Sequence, residues 1–389
     1  MNYYVIAAAV IVGLASGAAS VHWINRGVHA GWIVLGALAV GVGCTLVLTA
    51  IALLFTGPDG FMVLHVVYLV LVVGLPLSGA VVLAFSSPIP PVILALCIVS
   101  LSAIPIGIYA THIEPFWLRV DAVELAVDGI SEDVRIGVVA DLQTTSIGDY
   151  ENDALDRLIA LEPDVVVFPG DLHQIKSGQF DVRAPEFTRL VERLVDAVPV
   201  VYLVNGHSDT VADLWRITRG TGARVLDNEI ETFKLNGNLI HLAGVSLDGR
   251  DYEPAAWETA DQIANGDLPG VRILLAHEPD AVRLLEGRTV DLIISGHTHG
   301  GQVSIPFFGP PITASRVPRH VAAGGLHELH GTPVYVSTGV GRERGNAPSS
   351  ASASARPSES STWLPGTSCP NQVAVLLRLS PDSWPQWDP

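Results

Sequence analysis

The chain has 389 residues and a formal charge of −17, distributed so unevenly that two different solvents are implied. From Met1 to Ile113 there is one Arg (Arg26) and one Asp (Asp59), with no Lys or Glu, while the other 38 acidic residues lie from Glu114 onward. A strongly acidic C-terminal part without Lys/Arg clusters argues against a nucleic-acid partner, because phosphate contacts need such clusters.

Four apolar segments fill the N-terminal third: Tyr3–Ser20, Gly31–Phe55, Phe61–Phe85 and Val92–Tyr109. A helix needs roughly 20 apolar residues to cross the hydrocarbon core, so residues 1–113 are expected to form a membrane domain of four spans. Breaks at Thr56-Gly57-Pro58-Asp59-Gly60 and at Ser86 to Pro91 separate the later spans. The first segment lacks the positive n-region of a cleaved signal peptide. Arg26 is the cation of the first loop, and the positive-inside tendency places it in the cytoplasm. Four crossings then put residues 114–389 outside the cell membrane, against a weaker opposite pull from Arg119. Cys44 and Cys97 lie in the spans and Cys369 is alone in the remainder, so no disulfide is expected within that part.

From Arg135 the chain alternates strand and helix signals. Ile136–Ala140 is an apolar β run ending at Asp141, and a helix from Asn152 to Leu161 would open on a capping Asn. Val165–Phe168 ends at Gly170-Asp171, helix Ala184–Val195 follows, and strand Val198–Val204 ends in Asn205-Gly206-His207-Ser208-Asp209. Asn236-Gly237 between Phe233–Leu235 and Leu239–Leu242 is a hairpin signal. Val271–Leu275 ends at His277, and Leu292–Ile294 ends at His297-Thr298-His299. Val334–Ser337 and Val373–Leu377 close the pattern, and the Ser/Ala/Pro tract at 345–361 reads as a disordered insertion. Each polar constellation follows the C-terminal end of a strand, where open α/β sheets build their sites.

Those strand ends offer Asp141 with Gln143, Asp171, His207, His277, and His297 with His299. Neutral imidazole is the commonest metal ligand. A buried Asp with no cation nearby is costly, and few Lys or Arg lie near these positions. Divalent metal would resolve that conflict, and a carboxylate between two ions with imidazoles on both sides is the arrangement expected of a two-metal hydrolytic site, whose ions clamp the attacking and leaving oxygens of an in-line displacement.

In this order, and in the runs Ile273 to Asp280, Ser295 to Gln302, Ile305 to Gly309 and Val334 to Gly339, the chain resembles calcineurin-like metallophosphoesterases, most closely their membrane-associated bacterial branch. The resemblance covers roughly Val120 to Leu379. It implies a four-layer αββα sandwich with two divalent ions (manganese, iron or zinc) that hydrolyses phosphate mono- or diesters through a metal-bound hydroxide. Carried over, it gives Asp141 and His299 to the first ion, His277 and His297 to the second, and Asp171 as the bridge. Two motifs depart from the family. Gln143 stands where the family has His, and a Gln carbonyl is a harder, weaker donor than imidazole. In the Gly-Asn-His-Asp turn, a gapless alignment on Gly206 puts His207 at the Asn ligand position and Ser208 at the catalytic His. In the other register His207 is the proton donor and the second ion loses a ligand.

His173 could face the pocket as a replacement general acid, or be a surface-loop residue. Arg342 and Arg344 could grip a phosphate, or be a solvated pair. The expectation is a membrane-anchored phosphoesterase whose substrate lies near the bilayer, where a lipid-linked phosphoester fits and the aromatic pair Phe307-Phe308 would assist. The competing expectation is a catalytically impaired metal- or ligand-binding module on a membrane anchor, suggested by Gln143 and Ser208.

Overall fold

The computed structural model describes residues 3–56, 60–113, 116–249, 251–265, 268–301, 309–341 and 372–381. Phe307-Phe308, Arg342, Arg344, the 345–361 tract and Cys369 lie outside the described residues. The chain divides into two compact units, a helical one holding residues 1–115 and an α/β one from Phe116 onward.

In the helical unit, helices Tyr3–Asn25 and Ala30–Thr56 are continuous. The third segment runs Gly60–Leu69, passes through a π-helical turn at Val70–Gly74, and resumes at Leu75–Phe85. That turn ends two residues before Pro76, which has no N–H to donate and whose ring crowds the carbonyl of Val72 within the turn; a π-turn relieves such a defect. The fourth segment is Pro91–Leu101 continued by Ala103–Ile108. Val5–Asn25, Ala30–Ile51, Met62–Phe85 and Pro91–Ile108 are each long and apolar enough to cross a membrane. They are apolar around their whole circumference, the pattern of helices without a water-facing side, and Leu38, Leu46, Leu54, Ile98 and Val99 are all exposed. Close packing depends on small residues: a Cβ on Gly13 would lie 2.5 Å from the Gly74 carbonyl oxygen.

The α/β unit contains β1 (Arg119–Ala126), β2 (Val134–Val138), β3 (Val165–Pro169), β4 (Val201–Val204) and β5 (Arg224–Val225). These are followed by β6 (Glu229–Leu235), β7 (Asn238–Gly244), the short pair β8 (Leu247–Asp248) and β9 (Asp251–Tyr252), and β10 (Val271–Leu275). Then come β11 (Leu292–Ser295), β12 (Gly325–Leu329), β13 (Thr332–Val336) and β14 (Gln372–Ser380). One six-stranded sheet has the order β1-β14-β2-β3-β4-β5, the other β12-β13-β11-β10-β7-β6. The parallel core pairs β2–β3–β4 and β7–β10–β11–β13 are buried on both faces, which is why they read as continuous apolar runs.

Strand alternation sorts the side chains into layers. Val165 and Val167 of β3 join Ile136, Tyr202, Leu242, Ile273, Ile294 and Tyr335 between the two sheets. Val166 and Phe168 point the other way, into a core with Leu155, Phe187, Leu194 and Leu214 from helices Asp149–Ile159, Phe180–Ala197 and Val211–Thr218. Leu274 and Ile293 face a third core with Ala256 and Ile263 of helix Pro254–Asn265. The result is helices, sheet, sheet, helices: the expected four layers.

Local boundaries differ from the sequence reading for identifiable reasons. The helix expected at Asn152 starts at Asp149; Gly148 is its cap, donating its N–H to the Glu151 carboxylate at 2.9 Å, and Asn152 lies inside the first turn. The next helix starts at Phe180, earlier than Ala184, because Phe180 is buried against the core. Val198 closes that helix through its N–H to Leu194, so β4 begins only at Val201. Strand β1 had no counterpart in the reading: its Asp121 and Glu124 interrupt the apolar run. The hairpin at Asn236-Gly237 forms as expected, with both residues at positive φ (50° and 78°) and Leu235 paired to Asn238.

Candidate metal centre

The ends of β2, β3, β4, β10 and β11 converge, and the chain leaves them through an unusual backbone. Asp141, Gln143, Asp171, His297 and His299 all have positive φ, between 39° and 72°. Non-glycine residues seldom adopt this conformation, and each instance costs on the order of 1–3 kcal/mol unless its surroundings fix it. Here they do. Asp141 N–H donates to Gly170, Gln143 N–H donates to the Asp171 carbonyl, and Gly341 N–H donates to the Asp141 carbonyl.

Glycines make room for the carboxylates. A Cβ on Gly206 would lie 2.1 Å from Asp171 Oδ1, and one on Gly296 would lie 2.3 Å from Asp141 Oδ2. Asp141 is fully buried and accepts the His297 N–H at 2.9 Å. Asp171 is 2% exposed and accepts the Ser208 N–H at 2.8 Å and the Gln143 amide at 2.5 Å. Burial alone would raise the Asp171 pKa, but His277, the Ser208 amide and Gln143 outweigh it and hold the group at about 2.

The imidazoles gather on the other side of Asp171. Ring centroids of His207, His277 and His297 are 4.7–5.0 Å apart. The His277 Nδ1–H donates to the Pro169 carbonyl at 2.9 Å, which leaves the Nε2 lone pair 3.6 Å from Asp171. His297 Nε2 lies 3.0 Å from the Ala314 carbonyl, so it carries the proton and Nδ1 is the free base. His207 turns Nε2 toward Glu278 Oε1 at 3.3 Å. His299 lies beside Asp141, with Nε2 3.9 Å from Oδ1. Burial holds both His277 and His299 down to about 4, so their rings are neutral near pH 7.

Two overlapping groups thus offer ligand atoms within 4.8 Å of one another: His207, His277 and His297, and Asp141, Asp171 and His277. His277 Nε2 is buried with no hydrogen-bond partner among the described residues, as expected of an atom reserved for a cation. Neutral imidazoles facing buried carboxylates fit divalent transition metals.

Other sequence candidates fall differently. Gln143 is at the centre, but its amide nitrogen faces Asp171, so its oxygen would have to turn to act as a ligand. Ser208, at the family's proton-donor position in the gapless alignment, donates its hydroxyl to the His173 carbonyl at 2.7 Å. His173 does not face a pocket: it is 1% exposed, packs against Phe180 and Phe187, and accepts the Ile175 N–H on Nδ1. A ring enclosed in this way cannot reach a leaving group, which corrects the general-acid expectation. Arg342 and Arg344 lie outside the described residues.

The sequence assigns no role to Asn205 or Glu278, and Asp209 enters only as the Asp of the family turn in the gapless alignment. Asn205 bridges to Leu247 through both its amide N–H and its carbonyl oxygen. Asp209 is buried and accepts the N–H of both Gly206 and Leu172, tying the loops that carry His207 and Asp171. Glu278 was visible as the neighbour of His277, and its contact with His207 is purely tertiary.

Comparison with known proteins gives a family and several relatives for the α/β part. The family model described as calcineurin-like phosphoesterase matches residues 134–301. The uncharacterized metallophosphoesterase YkuE of Bacillus subtilis is 30% identical over 191 residues, 47% of this chain and 63% of its own. The uncharacterized protein YpbG of the same organism is 30% identical over 41% of this chain and 60% of its own. The phosphodiesterase YaeI of Escherichia coli is 25% identical over 60% of this chain and 85% of its own. The chain therefore spans somewhat under two thirds of the two Bacillus relatives, and most of the Escherichia coli one. By its strand-end motifs and this match, the chain carries a calcineurin-like phosphoesterase domain over residues 134–301.

Proposed function

We propose that this protein is a metal-dependent phosphoric ester hydrolase anchored in a membrane, holding two divalent ions. The observation that carries the reading is the pair of ligand groups sharing His277 across Asp171. Asp141, His299 and Asp171, with Gln143 if its amide turns, would hold one ion. Asp171, His207, His277 and His297 would hold the other. Manganese, iron or zinc suits this mixture of imidazole and carboxylate. When bound, such ions lower the pKa of water and neutralise charge developing on the phosphoryl oxygens.

The chain's own groups supply placement. Asp171 is fixed by Ser208 N–H and Gln143, and Asp141 by His297 N–H, so neither carboxylate has to reorganise. Neutral His277 and His299 present lone pairs instead of protons. The Ser208 hydroxyl is engaged with the His173 carbonyl, so this position offers no imidazole to protonate the leaving group.

Relatives named as metallophosphoesterase and phosphodiesterase support a phosphoester substrate, monoester or diester. A lipid-linked phosphoester is our finer reading, supported by the four candidate spans on the same chain, with membrane lipids as the surroundings of those spans. An extracytoplasmic α/β domain is supported by Arg26 as the cation between the first two spans. Nucleic acid does not suit the acidic domain.

The test is turnover of a chromogenic phosphodiester by the full chain in detergent, with manganese or after chelation, alongside Asp171→Asn. Turnover that requires metal and is lost in Asp171→Asn is the expected result. Metal uptake without turnover would favour the impaired binding module, and turnover unaffected by chelation or by Asp171→Asn would refute the dinuclear reading.

A further inference from the structure

The imidazole at 207 creates a requirement that a ligand amide would not. An Asn at this place can coordinate through its oxygen without choosing a tautomer. A histidine must carry its proton on the ring nitrogen that faces away from the ion, and something must accept that proton's hydrogen bond. Ligating histidines are generally oriented by just such an acceptor. His277 has the Pro169 carbonyl and His297 the Ala314 carbonyl. For His207 the matching group is a side chain, Glu278, with Oε1 3.3 Å from Nε2.

Glu278 is itself placed for the purpose. Its side chain is only 13% exposed, and a largely buried carboxylate needs partners. Among the described residues, those within ion-pair distance are imidazoles: His207, and His297 at 4.0 Å. The Tyr252 hydroxyl donates to the Glu278 carbonyl at 3.3 Å, and Pro279 opens the following 3₁₀ turn, so the backbone under the carboxylate is fixed from both sides. Two residues on, Asp280 accepts from Ser315 Oγ at 2.5 Å and from Arg316 N at 3.0 Å. That anchors the segment whose Ala314 carbonyl orients His297.

We propose that Glu278 is the positioning residue for His207: its carboxylate accepts the Nε2–H and presents Nδ1 to the ion, making histidine workable where the family has Asn. This rests on the metal-centre reading above, and the experiment separates the two. Zinc and manganese affinity of the full chain is measured by chelator competition for wild type, Glu278→Ala, Glu278→Gln, His207→Asn and the His207→Asn/Glu278→Ala pair. Glu278→Ala should weaken binding about 10–100-fold, the usual effect of removing an outer partner of a ligating histidine. Glu278→Gln keeps an acceptor oxygen and should recover most of the loss. With Asn at 207 there is no second ring nitrogen, so adding Glu278→Ala should change little. An equal loss in both backgrounds would overturn the proposal. A wild-type chain that takes up neither metal would instead overturn the metal reading. The pair can still be tested then, and also if Glu278→Ala misfolds, by ring-¹⁵N histidine spectra of the metal-free wild type. The signal that disappears in His207→Asn should be the Nε2–H tautomer, and an Nδ1–H tautomer there would refute the proposal.

Discussion

A single methyl group at Gly206 should disable the centre without replacing any of the candidate ligands. The Cβ of Gly206→Ala would sit 2.1 Å from Asp171 Oδ1 and 2.6 Å from the Asp171 backbone nitrogen, where ordinary contact begins at 3.4 Å. More than an ångström of overlap must be relieved. The Asp171 side chain cannot yield alone, because Ser208 N–H and the Gln143 amide hold it and its backbone nitrogen is also struck. The backbone there is already at φ 55°, with little freedom to shift further. Overpacking of this kind costs about 1–3 kcal/mol of stability, and a misplacement of about 1 Å at a reacting centre lowers turnover on the order of 10²-fold. The assay is manganese-dependent phosphodiester turnover together with metal content and thermal midpoint, against Gly178→Ala as control. Gly178 has nothing within 4 Å of an added Cβ and should behave as wild type. Gly206→Ala turnover within about threefold of wild type would refute the argument that the glycine makes room for the bridging carboxylate.

Three further outcomes can be checked. Gln143→His should tighten the ion beside Asp141 and raise turnover at limiting manganese, since imidazole is the stronger donor; no response would show that Gln143 serves only as a hydrogen-bond donor to Asp171. With Ser208 engaged elsewhere, turnover should depend steeply on the leaving group: a phenyl diester should react about 10²-fold or more slowly than its nitrophenyl counterpart, the range a general acid normally supplies. Similar rates for both would point to another proton donor. In chelator, acid should destabilise the α/β unit: His277 and His299, held by burial at about 4 against 6.5 in the unfolded chain, resist protons that the unfolded chain accepts. Their penalty is absent above pH 6.5 and grows as pH falls toward 4, to about 2 kcal/mol each at pH 5. A thermal midpoint unchanged from pH 7 to 5 would contradict it.

Most of the fold is legible in the sequence because its signals are local. The four helices long and apolar enough to cross a membrane declare themselves by length and by the lack of charge, and the central strands by runs such as Val165 to Phe168 that must be apolar on both faces. The edge strand β1 is not legible, since Glu124 is exposed and the strand is defined by pairing with β14 about 250 residues away. Helix starts slip for a similar reason: Asn152 has the chemistry of a cap, but the Glu151 carboxylate reaching Gly148 settles where the turn begins.

At the centre, strand-end position and residue type identified the candidates, and what sequence could not supply was the partner of each. His173 has the right chemistry and lies two residues from Asp171, yet Phe180 and Phe187 enclose it. Asp209 has the chemistry of a ligand, yet its two oxygens accept the N–H groups of Gly206 and Leu172, at 2.7 and 2.6 Å. That brace has a consequence for the whole site. The loop after β3 carries Asp171 and the loop after β4 carries His207, and one buried carboxylate fixes the two against each other. The Ser208 N–H to Asp171 bond adds a second tie in the same place. A loop pair fastened twice, by backbone N–H groups donating to the Asp209 and Asp171 side chains, tolerates exchange of the side chains at 207 and 208, because neither of them makes those bonds. In the gapless alignment on Gly206, this is how a His and a Ser at 207 and 208 would stand at the Asn and His positions of the family turn, with the ring of His207 beside those of His277 and His297.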